Sequence, residues 1–204
     1  MSWWPFATPS RSKSSQGHGE RSWPSPAPPA GSLRIEEARI RTADAKRQKD
    51  DPRYSYFSMG NLFITQEREK RLLTLLKRND LAPLHTKKIL EVGCGTGHWL
   101  REFIKWGARP ENITGIDLLV DRVAEARYLC PEAINIVYGN AAALAFPDAT
   151  FDLVVQSTVF TSVLDAFIKQ QMASEMLRVV KDDGSILWHD YYVNNPWNPD
   201  VRGY

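Results

Sequence analysis

Cysteine is scarce in this chain: only Cys94 and Cys130 occur among 204 residues. Two thiols cannot make a disulfide framework, and such sparing use fits a reducing, cytoplasmic compartment. No stretch approaches the roughly 18 consecutive apolar residues of a membrane span, so no membrane partner is expected. The opening "MSWWPFATPS" lacks the apolar run of a secretory leader. A dominant charge is also missing. The net charge is +2, and residues 51–204 carry seventeen Lys/Arg against nineteen Asp/Glu. The folded part has no basic excess to offer a phosphate backbone, which argues against a nucleic-acid partner. Neither a G-x-G-x-x-G nor a G-x-x-x-x-G-K-[ST] loop is present. No metal is expected.

With 43% hydrophobic and 25% charged residues, the chain is long enough for one sizeable core. Met1 to about Ser32 is rich in Pro and Ser and is expected to be disordered, with Trp3, Trp4 and Trp23 read as part of a solvated tail over the alternative of a short docking motif. Residues 33–49 suit a short polar helix whose apolar face is thin, a linker helix. The division is thus a tail and linker over 1–50 and a folded domain over 51–204, with order starting near Tyr54. Tyr54, Tyr56 and Phe57 are candidates for a lid or for plain packing. In "ITQEREKRLLTLLKR", Leu72, Leu73 and Leu76 form a helical stripe.

Beyond the turn "NDLAP" the pattern alternates. Strand "KKILEV" leads to helix "HWLREFIKW", strand "NITGID" to helix "DRVAEARYLC", and Pro131 stops the latter. Strands "INIVYG" and "FDLVVQ" follow, then helix "DAFIKQQMASEMLRVV", the turn "KDDG" and a last strand "SILWHDYY". Strands alternating with helices of this length predict an α/β fold, a doubly wound and mostly parallel sheet with helices on both faces.

In such sheets ligands bind at the carboxyl ends of the strands, where strand order reverses. The loop in "ILEVGCGTG" leaves the first parallel strand at that place, and its glycines let backbone approach a ligand. Glu91 beside the loop would repel a pyrophosphate and pair with an ammonium group. Asp117 lies twenty residues after Gly97, the spacing of an acid that accepts from ribose hydroxyls. A ligand with an adenosine and an amino-acid end meets all three demands.

"ILEVGCGTG", "GIDLL", "GNAAALAFPDATFDLVV" and "EMLRVVKDDGSILW" resemble, in order and spacing, the class I S-adenosylmethionine-dependent methyltransferases, and most of all their small-molecule group called type 11. The likeness covers residues 85–190. It implies a Rossmann-like methyltransferase fold and S-adenosyl-L-methionine as cofactor. It further implies that Gly93, Gly95 and Gly97 line the cofactor, with Glu91 near the methionine moiety, Asp117 at the ribose and Leu118 beside the adenine. The usual G-D-A after the third strand is Gly139-Asn140-Ala141 here, so Asn140 keeps a carbonyl acceptor without the charge. The loop from Gln156 reads "QSTVF" and lacks the Asn/Asp-Pro-Pro-aromatic signature of exocyclic-amine methylation. A small-molecule acceptor is therefore expected. The family's sixth and seventh strands find no match in "YVNNPWNPDVRGY", so a C-terminally incomplete sheet is expected, either because the chain is truncated or because its sheet ends at an exposed edge.

Candidate catalytic residues are those at the ends of the fourth and fifth strands: Gln156, Ser157, His189, Asp190 and Tyr191. His189 is the best base by intrinsic pKa, yet in a persisting strand His189 and Asp190 face opposite ways. His98 reads as a first-turn residue, Cys94 as a small filler, and Trp99 and Trp106 as structural. Besides methyl transfer to oxygen, nitrogen or carbon, two readings stay open: an inactive cofactor-binding or interaction module, and a nicotinamide-dependent oxidoreductase, which Glu91 and the missing G-x-G-x-x-G oppose. Oligomeric state is not encoded in any feature of the sequence.

Overall fold

Short β-rich runs and longer amphipathic runs alternate along the chain, and the computed structural model builds them into one layered sheet. It describes residues 2–7 as backbone, and residues 31–46, 51–52 and 55–203 in full. The elements in order are β1 (Ser2–Ala7), α1 (Ser32–Ala45), α2 (Met59–Arg78), β2 (Ile89–Val92), α3 (His98–Lys105), β3 (Ile113–Asp117), α4 (Val120–Leu129), β4 (Asn135–Tyr138), β5 (Phe151–Ser157), α5 (Ala166–Val179) and β6 (Val180–Asp190). Strand order is β1-β6-β5-β2-β3-β4, and the five strands β2 to β6 are mutually parallel. This is the doubly wound arrangement, with order reversing between β2 and β5.

Alternation along the strands sends neighbouring residues to opposite cores. Ile89 of β2 joins Leu153 and Val155 of β5 and Leu187 of β6 against Leu72, Leu100, Phe103 and Ala126 from α2, α3 and α4. Leu90 and Val92 face the other way, with Val154 and Ile186, toward Ile168, Met172 and Met176 of α5. Helix α5 begins where the sequence places it. The Asp165 side chain caps it, accepting from the Phe167 and Ile168 amides at 2.8 and 3.1 Å. The "KDDG" turn lies inside β6 as an irregularity, between the pairs Phe151–Val180 and Leu153–Ser185.

Two expectations change. Residues 2–7, assigned to a disordered tail, form β1 and pair antiparallel with β6 from Ser2–Asp190 to Ala7–Ser185. The β6 edge, expected to be exposed, is thereby covered. Pro5 is tolerable because β1 is itself an edge strand, where a missing N–H costs no ladder bond on the outer side. The rest of the tail, Trp23 included, and Tyr54 lie outside the described residues. Residues 191–203 contain no strand.

Deleting residues 1–7 removes six residues of pairing and uncovers β6. The expected outcome in thermal unfolding is a Tm lower by about 3 °C or more, on the order of 1 kcal/mol at this chain length. Sedimentation should show concentration-dependent self-association through the bared edge. An unchanged Tm and an unchanged sedimentation profile would contradict the role of β1.

Candidate functional site

At the carboxyl ends of β2 and β3 the glycine loop is tied down by backbone and carboxylate alike. The Gly93 and Cys94 amides donate to the Ile116 carbonyl at 2.8 and 3.1 Å. The Gly95 amide donates to Asp117 Oδ2 at 2.8 Å, and Asp117 Oδ1 accepts from the Leu119 amide at 2.9 Å. Gly93 and Gly95 have φ of 69° and 53°, where a side chain is strained. A Cβ on Gly93 would collide with Val159, whereas one on Gly95 would point into open space, 4.0 Å from Arg122 Nη1. That open space is a cavity of about 260 Å³, close to the lower end of ligand cavities.

Helix α1 roofs this cavity, which the thin apolar face of residues 33–49 did not announce. Leu33 and Ile40 pack on the core beneath, and polar contacts hold the rest. Glu36 is buried and accepts from Arg39 at 2.8 and 2.9 Å and from the Leu164 amide at 2.6 Å. Burial alone would raise its pKa, but the Arg39 guanidinium and the amide outweigh it and hold the carboxyl below its ordinary value. Arg39 also donates to the Ser162 carbonyl. Asp44 pairs with Arg122 of α4 at 2.7 Å, and Glu37 Oε1 accepts from Asn140 Nδ2 at 2.7 Å. The lining carries the carboxylates of Glu36, Glu37, Asp44, Asp117 and Asp200; Arg39 offsets Glu36 and Asp200 and Arg122 offsets Asp44, while Glu37 and Asp117 accept from amides. Such a wall favours a cationic ligand over a pyrophosphate.

The sequence-predicted residues divide by depth. Gly93, Gly95, Asp117, Leu118, Asn140 and Ala141 line the cavity together. Gly97 does not; it caps α3 with φ of 78°. Glu91, expected beside the ammonium end, is buried below the loop on the Ile89 side and lines neither the cavity nor the groove next to it. Its Oε2 has no hydrogen-bond partner, and burial, then the Asp117 charge, raises its pKa well above the carboxylate range. Asp117 is shifted upward as well, by burial, against the two amides that it accepts from.

Gln156 is fully buried and spent on bracing: Nε2 donates to Asp190 Oδ2 at 3.0 Å and Oε1 accepts from the Val159 amide at 3.1 Å. It touches neither space, and Asp190 also accepts from the Thr161 amide. His189 faces the other side of β6, with Nδ1 2.9 Å from Ser157 Oγ. Burial, then the Arg68 charge, lowers its pKa to about 3. The residue read as the best base is therefore a poor one, because a buried imidazole resists protonation. Ser157 and Thr158 line both the cavity and an open groove of about 1650 Å³, along which Tyr191 also lies. Thr158 has φ of 61°, rare for a β-branched residue and costing about 1–2 kcal/mol. Its amide is fastened to the His189 carbonyl at 2.7 Å. Strain of this kind gathers at functional sites.

The remaining candidates sit outside. Tyr56 Oη is 3.2 Å from His98 Nδ1, Phe57 is exposed, and none of the three lines the cavity or the groove. Cys94 is buried and burial pushes its thiol up, as suits a filler rather than a nucleophile. No described helix is long and apolar enough to cross a membrane.

Comparison with known proteins places this site in context. Residues 89–184 match the family described as "Methyltransferase domain". The chain is 33% identical over 100 residues to a demethylmenaquinone methyltransferase of Bacillus licheniformis, covering 48% of this chain and 42% of that protein. It is 35% identical over 106 residues to the 2-methyl-6-phytyl-1,4-hydroquinone methyltransferase of Synechocystis sp., covering 50% and 31%. It is 34% identical over 112 residues to the fatty-acid O-methyltransferase of Mycolicibacterium smegmatis, covering 53% and 39%. The chain therefore spans less than half the length of these relatives. Among solved structures, the PH0226 protein of Pyrococcus horikoshii OT3 shares the fold, with a TM-score of 0.54 at 22% identity over 69% of this chain and 63% of that one.

Glu91 supplies a test of these electrostatics. With a folded-state pKa above the unfolded one, it keeps a proton that the unfolded chain releases, so stability is lost as pH rises from about 4.5 through the folded value. Glu91→Gln cannot ionise. Urea unfolding should show equal stability near pH 4 and a growing advantage for the variant toward pH 8, on the order of 1 kcal/mol. Parallel profiles would contradict the assignment.

Proposed function

From a chain whose residues 89–184 belong to the class I S-adenosylmethionine-dependent methyltransferases, we propose that this protein holds S-adenosylmethionine in the cavity under α1 and methylates oxygen, nitrogen or carbon of a small molecule. The observation that carries the reading is the carboxylate-rich cavity against the glycine loop, where Gly95 leaves the space of a Cβ open. Three features of the site fit the cofactor. The carboxylate excess suits a cation, Gly93 and Gly95 present bare backbone, and Asp117 keeps lone pairs for ribose hydroxyls beside the two amides it already accepts from. The same excess opposes the pyrophosphate of a nicotinamide dinucleotide.

When bound, the cofactor supplies an electrophilic methyl group on a sulfonium. The protein's share is alignment and exclusion of water, which oriented sites turn into effective molarities of about 10⁵ M or more. Asp117 and Leu118 hold the nucleoside side. Ser157, Thr158 and Tyr191, which border the groove, meet the acceptor. Proton abstraction falls to none of them by default, since His189, with its pKa lowered to about 3, stays neutral with Nδ1 against Ser157 Oγ. The acceptor proposed is a small organic molecule in a cytoplasmic setting rather than a nucleic acid, because residues 51–204 carry no basic excess. The named relatives act on a demethylmenaquinone, a phytyl hydroquinone and a fatty acid, which is the acceptor range to screen first.

Calorimetric titration of the full chain with S-adenosylmethionine, S-adenosylhomocysteine and NAD tests this directly. The adenosyl ligands alone should bind. Asp117→Ala should weaken them about tenfold or more, the scale of a hydrogen bond to a charged group. Gly95→Ala should keep the fold, by circular dichroism, at a cost of about 1–2 kcal/mol for a side chain at φ of 53°, and lose binding because its Cβ occupies the ligand's space. Binding of NAD in preference, or of no ligand, would overturn the proposal.

A further inference from the structure

Resting on that reading of the cavity, we infer that Glu37 of helix α1 is the group that recognises the exocyclic amine of the bound adenine, and that Asn140 serves to hold Glu37 in place. Two partners fix the orientation of the Asn140 amide. Asn140 Oδ1 accepts from the Ala142 amide at 2.8 Å, and Nδ2 donates to Glu37 Oε1 at 2.7 Å. Reversing the amide would set its NH₂ against a backbone N–H and its oxygen against a carboxylate, so only one assignment satisfies both. The carbonyl that the sequence offers as an acceptor at this position is therefore engaged inside the protein.

The ligand's base still needs an acceptor. With the ribose at Asp117, the base extends along the part of the cavity walled by Ile116, Leu118, Ala141 and Ile40. Those walls are apolar and suit a flat ring. The polar side chains at that end are Asn140 and Glu37. An adenine amine is a donor, Asn140 Nδ2 is a donor, and the Glu37 carboxylate is an acceptor with capacity to spare beyond its bond to Asn140. A charged acceptor moved to the roof also accounts for Asn rather than Asp at 140, since two carboxylates at 2.7 Å would repel. Charge that position 140 lacks is supplied from above, and α1 is a specificity element as well as a cover.

The test is calorimetry of the full chain with S-adenosylhomocysteine and with its analogue carrying purine in place of adenine, which lacks only the exocyclic amine. Wild-type protein should favour the adenine ligand by about tenfold or more, the scale of a charge-assisted hydrogen bond. Glu37→Gln keeps an oxygen for Asn140 and turns an NH₂ toward the base, so the preference should collapse toward unity. If Glu37 only docks the helix, the variant weakens both ligands equally and the preference survives, which overturns the inference and leaves the cofactor reading standing. A wild-type protein that shows no preference has the same meaning. Binding of neither ligand by the wild type overturns the cofactor reading, and this inference with it.

Discussion

The site depends on the contact between the Gly95 amide and the Asp117 carboxylate, 2.8 Å apart. It joins the loop after β2 to the end of β3, holds a backbone that only glycine adopts without strain, and turns the remaining lone pairs of Asp117 toward the cavity. The Leu119 amide on the second carboxylate oxygen fixes the rotamer. Burial raises the pKa of Asp117, and the two amides oppose that rise. The parallel sheet supplies the frame for this contact, because neighbouring strands ending side by side bring residues 95 and 117 together across 22 positions of sequence.

Above that floor lies a roof built on a different principle. Helix α1 contributes little apolar area and is held by Glu36 on the Leu164 amide, Arg39 on the Ser162 carbonyl, Asp44 with Arg122, and Glu37 with Asn140. Glu36 is buried and the Arg39, Asp44 and Arg122 side chains are partly buried. The roof is fastened by a few polar contacts rather than by the apolar packing that holds the core, so it opens more readily than the core does. A ligand enclosed beneath it needs such a cover to move. A carboxylate-rich lining under such a roof suits a small cationic ligand that enters the cavity when the roof opens.

How much of this the sequence carried depends on the range of the forces involved. The alternation of apolar runs determines strands and helices locally, so the doubly wound sheet and the place of the glycine loop were readable, and so was the position of Asp117 at the cavity beside that loop. Depth was not readable. Glu91 and Gln156 lie on predictable strand faces, but whether a face meets a cavity or a neighbouring helix depends on the packing of other segments. Helix α1 was readable as a polar helix over residues 33–49, but its place over the cavity was not, because its partners Leu164 and Asn140 are 128 and 103 residues away and no periodicity records polar contacts over such separations. Strand β1 escaped for a related reason. "SWWPFA" lacks the alternation of a half-buried strand, and it finds order only by pairing with β6 at the far end of the chain. His189 shows the limit for chemistry: its residue type suggested a base, and its burial removes that capacity.

Amide hydrogen exchange across the full chain, with and without S-adenosylhomocysteine, tests the central claim most directly, because it reports on floor and roof together. The account predicts that the ligand slows exchange in residues 93–97 and in α1 while NAD at the same concentration leaves both unchanged. Protection of the glycine loop without protection of α1 would contradict the roof. No protection at either place would contradict the site itself.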